Sequence, residues 1–585
     1  MAVILASIGA LATLLLGGSA RAATPTVTMF PDGMPSAGTS FGITPASDGK
    51  IWFTSYGSHD ALGVIDPANP VAGVVKVDIT GNGHSEPWSV LNGPDGNVFF
   101  GTRFGNGIGE VVPATGAGAN SPVYLGNPNY IQPFTAATSS TGQIWVTGAA
   151  EPEGGTAPPP TSIPAADKIG IVTPGVPPSY VNETTLPQTA DPFGIAIGPG
   201  DQTGTAGPSF WVPEFGGNRI ARLIPTFPGP ALTTEFLPLP TTNSQPYLIA
   251  LGPDGNMWFT EFGANKIGRF APPANLSTGL SIQEFTLPSG SQPQGIAAGP
   301  DGSMWIAATG RGSILRMNMA GEVTGEYPTS ASPNGIAPGS DGNLWFTTYQ
   351  SDLIGRITSG LDQPAFRNTS AIPIPLVGAP NTPASIDVSG LQGTITDVNV
   401  RLTGISHTFP DDMDVILQSP TGQTALVMSD VGSGLSSQTS GTKQSYPADG
   451  ITLTLDDQAS RSLSDTDPLV SGIYKPTNVT DPNESTTEGN APGPFSTSFP
   501  SALNTFNGAS PNGTWKLWVN DDNLNVKDTA SKLYGGWGLD ISTTGPPAST
   551  QQPPPAATPA PAPTAKKCKK KRKTAFVAKK CKKKR

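Results

Sequence analysis

The sequence predicts an all-β protein, and three observations do so. Its 585 residues include 71 Gly and 63 Pro, about 23% together against roughly 12% in an average globular chain, a composition that breaks helices. Ten Trp and 23 Phe are spread along the chain, so segments able to bury an apolar face recur between the turns, as short strands require and disorder does not. One motif, finally, returns at a nearly constant interval.

That motif is GPDGNMWFTEFGANKIGRF from Gly252, repeated as GPDGSMWIAATGRGSILRM from Gly299 and GSDGNLWFTTYQSDLIGRI from Gly339. Its central aromatic is Trp52, Phe99, Trp145, Trp211, Trp258, Trp305 and Trp345, at steps of 47, 46, 66, 47, 47 and 40 residues. The long step contains EPEGGTAPPPTSIPAA, a Pro- and Gly-rich surface loop. Each unit reads as four strands: a Gly-Ile-Ala-like run, a Trp-Phe-Thr run, an Ile-Gly-Arg-Ile run and an outer segment such as QEFTLP. Four short strands in such a period make one blade of a β-propeller, and seven units make a seven-bladed ring over residues 23–360. Asp48, Asp95, Asp254, Asp301 and Asp341 precede or begin Asp-Gly turns, where Gly supplies the positive φ of a tight hairpin. The seventh unit lacks an outer strand, and TVTMFP from Thr26 to Pro31 stands unused before the first. The N-terminal strand is therefore expected beside Ile354 to Ile357, closing the ring and removing a free sheet edge.

Residues 1–22 read as a secretory signal: an apolar run from Ala2 to Leu16, then Ala20-Arg21-Ala22, although a basic start is missing. Fifteen apolar residues are fewer than the roughly 20 of a spanning helix, so no transmembrane span is expected. The net charge of -10 divides unevenly, because residues 566 to 585 hold 13 of the 33 Lys and Arg and no acid. The body thus carries 20 basic against 43 acidic residues. Residues 545–564 form a Pro- and Ala-rich extended linker, and residues 565–585 a disordered basic tail. Its cations are Lys566, Lys567, Lys569, Lys570, Lys571, Arg572, Lys573, Lys579, Lys580, Lys582, Lys583, Lys584 and Arg585. Such a block binds a polyanion, here an anionic cell-envelope polymer or surface, through counterion release. Both cysteines, Cys568 and Cys581, lie in this tail, where a disulfide is open to them; the body is left without thiol chemistry or cysteine-type zinc sites.

The unit G-x-D-G-x-x-W-F-T-E…N-x-I-G-R resembles the virginiamycin B lyase, or streptogramin lyase, family over residues 26 to 358. The resemblance implies a propeller that opens a cyclic depsipeptide by elimination, with a histidine as acid or base and magnesium held by glutamates. Three residues past the central aromatics stand Ser55, Thr102, Gly148, Glu214, Glu261, Ala308 and Thr348. Glu214 and Glu261, on neighbouring units, are therefore the candidates for magnesium and for general-base work. The histidines are His59, His84 and His407, and none stands near either glutamate, where Gly216 and Gly263 follow instead. His59 or His84 would have to reach across the mouth. Arg222, Arg269, Arg316 and Arg356 share one repeat position and are either a half-ring for an anionic ligand or structural arginines between blades.

From about residue 368 the repeat stops, and alternating Ile395, Val398, Val400, Leu402, Val415 and Leu417 announce antiparallel strands with one buried face. Ser406-His407, Asp411-Asp412-Met413-Asp414, Ser419-Pro420-x-Gly422, Gly513-Thr514-Trp515 and Trp537-Gly-Leu539 resemble the P/Homo B domain of kexin- and furin-type proprotein convertases. That implies a jelly-roll-type β-sandwich over 368–544, a domain that is not itself catalytic and that packs on a subtilisin-like protease. With one His after residue 84 the chain cannot assemble a serine-protease triad of its own. Asp411, Asp412 and Asp414, with Asp521 and Asp522 as further candidates, could hold calcium through oxygen ligands, or be a solvated loop.

The expectation is thus a secreted or cell-surface modular protein whose propeller binds a small-molecule or peptide ligand. Two alternatives stand beside it: a magnesium-dependent carbon–oxygen lyase on a cyclic depsipeptide, and an accessory to a separate protease.

Overall fold

The computed structural model describes residues 24–545 apart from 34–38, 57–59, 80–84, 105–106, 114–131, 140–141, 150–166, 175–178, 188–189, 200–208, 226–231, 273–279, 376–381, 433–445, 480–498 and 522–530. The chain divides into two compact units, Met1–Pro547 and Ala548–Arg585, and every described residue belongs to the first. The signal segment, His59, His84, both cysteines and the basic tail lie outside the described residues.

The fold is all-β, with only short 3-10 turns beside the strands. Between residues 27 and 357 the strands form small antiparallel sheets of propeller type, all but the last built in chain order. The first holds Ile43–Pro45, Ile51–Ser55, Ala61–Ile65 and Val75–Asp78. The second has three strands among the described residues, Ser85–Asn92, Val98–Phe104 and Gly107–Val111. The third runs from Gln132 to Thr185, the fourth from Ala196 to Pro238, the fifth from Pro246 to Thr286 and the sixth from Pro293 to Pro328, with four strands each. The last joins Ser332–Pro338, Leu344–Tyr349 and Leu353–Ile357 to the N-terminal strand Val27–Pro31, with Val27 opposite Ile357 and Phe30 opposite Ile354.

The repeat residues dictate this geometry. In the fifth sheet Gly255 takes φ +73 in the turn, and Asp254 Oδ1 accepts the Asn256 N–H at 3.1 Å and Trp258 Nε1 at 2.9 Å. The glycine of the Ile-Gly-Arg run is needed for space: a Cβ at Gly268 would run into the ring of Phe259 on the neighbouring strand. The threonine of the Trp-Phe-Thr run is fully buried and ties its sheet to the next. Thr54 Oγ1 donates to Trp88 O (3.3 Å), Thr147 to Phe193 O (2.9 Å) and Thr260 to Gln294 O (3.0 Å). Thr347 of the last sheet makes the same bond to Phe41 O of the first at 3.0 Å, so the succession of sheets returns on itself.

Residues 366–543 form a six-stranded and a five-stranded sheet around one apolar core that includes Leu402, Leu453, Phe506, Trp515 and Trp537. In the six-stranded sheet Ile395–His407 lies between Lys532–Thr543 and Ala448–Leu455; in the other, Met413–Gln418 lies between Gly513–Asp521 and Thr424–Ser429. The six-stranded sheet sits on the Asp-Gly turn end of the propeller. Tyr534 Oη donates to Ser47 O, Asn92 Nδ2 donates to Asp449 Oδ2 at 2.8 Å, and Arg461 Nη1 donates to Pro253 O at 3.0 Å. This seating makes one compact unit of what the change in sequence signature at residue 368 suggested were two domains.

Candidate functional site

In five of the sheets the second strand starts at an Asp-Gly turn, and it ends at the opposite face, where the mouth lies. There an X-Pro pair in six of the sheets, and Thr39-Ser40 in the first, precedes one residue whose repeat position is shared by Phe41, Trp88, Phe134, Phe193, Tyr247, Gln294 and Asn334. Five of these are aromatic and meet in a closed circuit. Trp88 to Phe134 is 5.4 Å between ring centroids, Phe134 to Phe193 4.7 Å, Phe193 to Tyr247 4.7 Å, Tyr247 to Phe41 6.0 Å and Phe41 to Trp88 5.1 Å. Phe215 and Phe262 extend the circuit outward, and Tyr56 stacks on Trp88 at 5.2 Å. Burial pushes the Tyr247 phenol far above its ordinary range. The residue before the proline is left-handed in four sheets, Glu86, Asp191, Gln245 and Gln292, with φ from 42 to 63. A non-glycine residue there is strained by roughly 1–3 kcal/mol, a strain concentrated at functional positions. The signal for this site was present in the sequence as Pro followed by an aromatic in four successive units, Trp88, Phe134, Phe193 and Tyr247, residues that carry no titratable chemistry near neutral pH.

Glu214 and Glu261 lie at the same end of their strands, and each is fully buried. They do not form a facing pair; each sits with the hairpin between the second and third strands of its own sheet. Glu214 pairs with Arg219, which also covers the ring of Phe236 at 4.1 Å. In the fifth sheet Glu284 stands where the fourth has Phe236, and it draws Lys266 away: Lys266 Nζ is 2.7 Å from Glu284 and from Thr241 Oγ1. Among the described residues neither oxygen of Glu261 has a hydrogen-bond partner. Burial, with the Glu284 charge beside it, pushes the Glu261 carboxyl up to about 8 against the weaker pull of Lys266. Burial likewise pushes Glu214 up to about 7, opposed by Arg219 and aided by Asp167. Neither carboxylate acts on the other. Gly263 keeps its place because a Cβ there would come within 2.7 Å of Asn243 O and of Gln245 Oε1, which leaves no room for an imidazole beside Glu261.

The four arginines each engage partners in their own sheet, Arg269 also donating to Met319 O of the sixth, and form no half-ring facing a ligand. Arg316 Nε donates to Asp301 at 2.6 Å, and Arg269 and Arg356 lie 3.6 and 3.5 Å from Asp254 and Asp341. Each also covers the tryptophan bonded to that aspartate: Arg269 over Trp258 (4.9 Å), Arg316 over Trp305 (5.9 Å) and Arg356 over Trp345 (5.7 Å). Arg222, buried in the fourth sheet, donates to Ser209 Oγ at 2.9 Å and lies 3.3 Å from Glu235.

In the two-sheet body Asp411, Asp412, Asp414 and Asp521 are buried, so the loop is not the solvated one considered above. His407 is buried too; burial pushes its imidazole down to about 4, its Nδ1 accepts the Phe409 N–H at 3.1 Å, and Nε2 is 3.6 Å from Asp521. Among the described residues no three His, Cys, Asp or Glu side chains converge to hold a metal ion. Asp522, the remaining calcium candidate, lies outside the described residues. Of the two magnesium candidates, Glu214 is paired with Arg219 and the Glu261 carboxyl is pushed up to about 8.

A family model, the virginiamycin B lyase family, matches residues 179–380, so this stretch is virginiamycin B lyase-like, in keeping with a propeller. No curated protein matches the chain. Among solved structures, a streptogramin B lyase is 25% identical, with 58% of this chain and 99% of that chain covered and a TM-score of 0.46. Virginiamycin B lyase from Staphylococcus aureus is 25% identical over 57% of this chain and 99% of its own, at 0.45. A gluconolactonase from Xanthomonas campestris is 12% identical over 58% and 91%, at 0.35. Among the described residues no helix is long and apolar enough to cross a membrane.

Proposed function

We propose that this chain is a secreted or envelope-retained binding protein. Its seven sheets make a seven-bladed propeller that takes an uncharged, ring-bearing ligand at the aromatic mouth. The two-sheet body is a jelly-roll module of P/Homo B type, and the basic tail holds the protein to an anionic envelope polymer. One observation carries the binding reading: the seven repeat-equivalent mouth residues are Phe41, Trp88, Phe134, Phe193, Tyr247, Gln294 and Asn334, and none can accept a proton near neutral pH. An elimination needs such a base within hydrogen-bond reach of the substrate, whereas stacked rings beside two amides suit the recognition of a neutral ring.

The family match over residues 179–380 favours a second reading, depsipeptide ring opening. It would require His59 or His84 as the base. Purified protein is incubated with a virginiamycin B-type cyclic depsipeptide, with magnesium and with chelator, while ring opening is followed by mass spectrometry and binding by tryptophan fluorescence. The binding reading expects fluorescence quenching without ring opening. Magnesium-dependent opening, lost in His59→Ala or His84→Ala, would replace it with the lyase. Service to a separate protease is disfavoured because the six-stranded sheet is already seated on the propeller through Tyr534, Asp449 and Arg461.

A further inference from the structure

Asp449 stands where the propeller and the six-stranded sheet join. Its Oδ2 accepts Asn92 Nδ2 from the propeller at 2.8 Å, and its Oδ1 accepts Ser406 Oγ from the adjacent strand at 2.9 Å. Beside it opens a cleft of about 280 Å³, to which both bodies contribute; its titratable lining groups are Asp48, Asp95, His407, Asp449 and Tyr534. Three of these five are carboxylates, and among the described residues no lysine or arginine is in the lining.

Each neighbouring element can be read for charge. The turn of the first sheet brings Asp48, with Lys50 Nζ 3.5 Å from it. The turn of the second sheet brings Asp95, and Glu110 lies behind it, holding Asn97 Nδ2 at 2.5 Å. Strand Ile395–His407 brings Ser406 and His407, whose imidazole is neutral down to about pH 4. Strand Lys532–Thr543 brings Tyr534, its phenol pushed up to about 12 by burial and by the charges of Asp48 and Asp449, and Lys532, whose Nζ is 5.6 Å from the Tyr534 ring centre. Among the described residues ionised Asp449 is thus held by two neutral donors, with two further carboxylates on the same cleft.

We propose that this joint is an acid-strengthened latch: a fall in pH tightens the seat of the two-sheet body on the propeller, and Asp449 is the group responsible. Seated, its carboxyl is pushed by burial up to about 6, against lowering by Asn92 and Ser406; unseated and solvated, it returns to the ordinary value of 3.8. A carboxyl raised in the closed state adds stability that is complete below the open-state value and is lost as pH rises through the closed-state value. When the proton binds, the Ser406 hydroxyl rotates to accept it and the bond from Asn92 persists. Between about pH 7.5 and about pH 5 the closing equilibrium should strengthen roughly tenfold.

The test is hydrogen exchange on the full chain at those two pH values, corrected for intrinsic exchange rates, in peptides spanning 46–50, 92–97 and 532–536, with 257–270 as a reference away from the joint. The wild type should gain about tenfold protection at the lower pH in the joint peptides alone, and Asp449→Asn should show equal protection at both. An equal rise in Asp449→Asn, or no rise in the wild type, overturns the latch. Asn92→Ala, on the propeller side, keeps the carboxylate and removes a donor that favours its ionised form. It should lower protection at neutral pH and steepen the pH dependence, and unchanged protection in that variant also overturns the proposal.

Discussion

Phe41 and Tyr247 meet edge to face, with ring centroids 6.0 Å apart and planes at 72°, although they stand on the first and fifth sheets. Sheets that far apart in chain order touch only where the ring narrows to its axis, so these two rings mark the floor of the mouth. Phe193 lies beside them, touching Phe134 at 4.7 Å, Phe215 at 5.3 Å and Tyr247 at 4.7 Å. Phe193→Ala should therefore cost about 3 kcal/mol in urea unfolding through lost burial and ring contacts. It should also weaken quenching by any ligand of the mouth. A cost below about 1 kcal/mol would mean that the circuit is not a packed floor.

The N-terminal strand should behave as a structural member of the last sheet. Phe30 stacks on Trp345 at 5.6 Å with Arg356 at 5.7 Å, the relation that Phe285 has to Trp258 and Tyr327 to Trp305, both at 5.7 Å. Phe30→Ala is expected to destabilise by about 2 kcal/mol, and Phe30→Tyr, which copies the sixth sheet, to stay within about 0.5 kcal/mol of the wild type. Thermal melts of the two variants check both numbers.

The repeated elements were legible because local rules and tertiary packing agree in them. The Asp-Gly turn, the tryptophan bonded to its aspartate and the glycine beneath Phe259 are each specified within one unit, and repetition displays them several times over. Counting outer strands likewise points to Val27 beside Ile357, where the pair is found. The site residues were less legible, since a position in a motif says nothing of which neighbour a long side chain will choose. Glu214 and Glu261 look equivalent in sequence, yet Phe236 in one sheet and Glu284 in the next give them different partners. The arginines read as a possible half-ring because the aspartates they bond lie fifteen residues earlier, on the far side of a hairpin. The mouth escaped notice because its residues are apolar, and the seat of the two-sheet body because it joins positions such as Asn92 and Asp449 that no local pattern relates.

The aspartates of the turns should differ in cost according to how their arginines are otherwise held. Asp301 is buried, accepts Trp305 Nε1 at 2.8 Å and holds Arg316 at 2.6 Å. Asp254 makes the same tryptophan bond, but its arginine is 3.6 Å away and also donates to Gln283 and Met319 O. Asp301→Ala should therefore cost about 2–3 kcal/mol, and Asp254→Ala about 1 kcal/mol less. Chemical denaturation of the pair gives the order, and the reverse order would mean that the aspartate–arginine bond contributes little.

Glu261 should make the propeller sensitive to alkali. Its carboxyl is raised to about 8 when folded, from an ordinary value of 4.5, so its contribution is complete below the ordinary value and is lost as pH rises through the folded one. Over that interval the wild type should lose on the order of 1.4 kcal/mol per pH unit relative to Glu261→Gln, which carries no ionisable group there. Melting temperatures measured from pH 6 to 9 should fall more steeply for the wild type. Glu284→Phe supplies the second arm, because it places in the fifth sheet the residue that the fourth has at that position. Lys266, freed from Glu284, should turn to Glu261 as Arg219 turns to Glu214, lower its titration and flatten the profile. If Glu284→Phe leaves the alkaline slope unchanged, the choice of partner by Lys266 is not what keeps Glu261 uncharged.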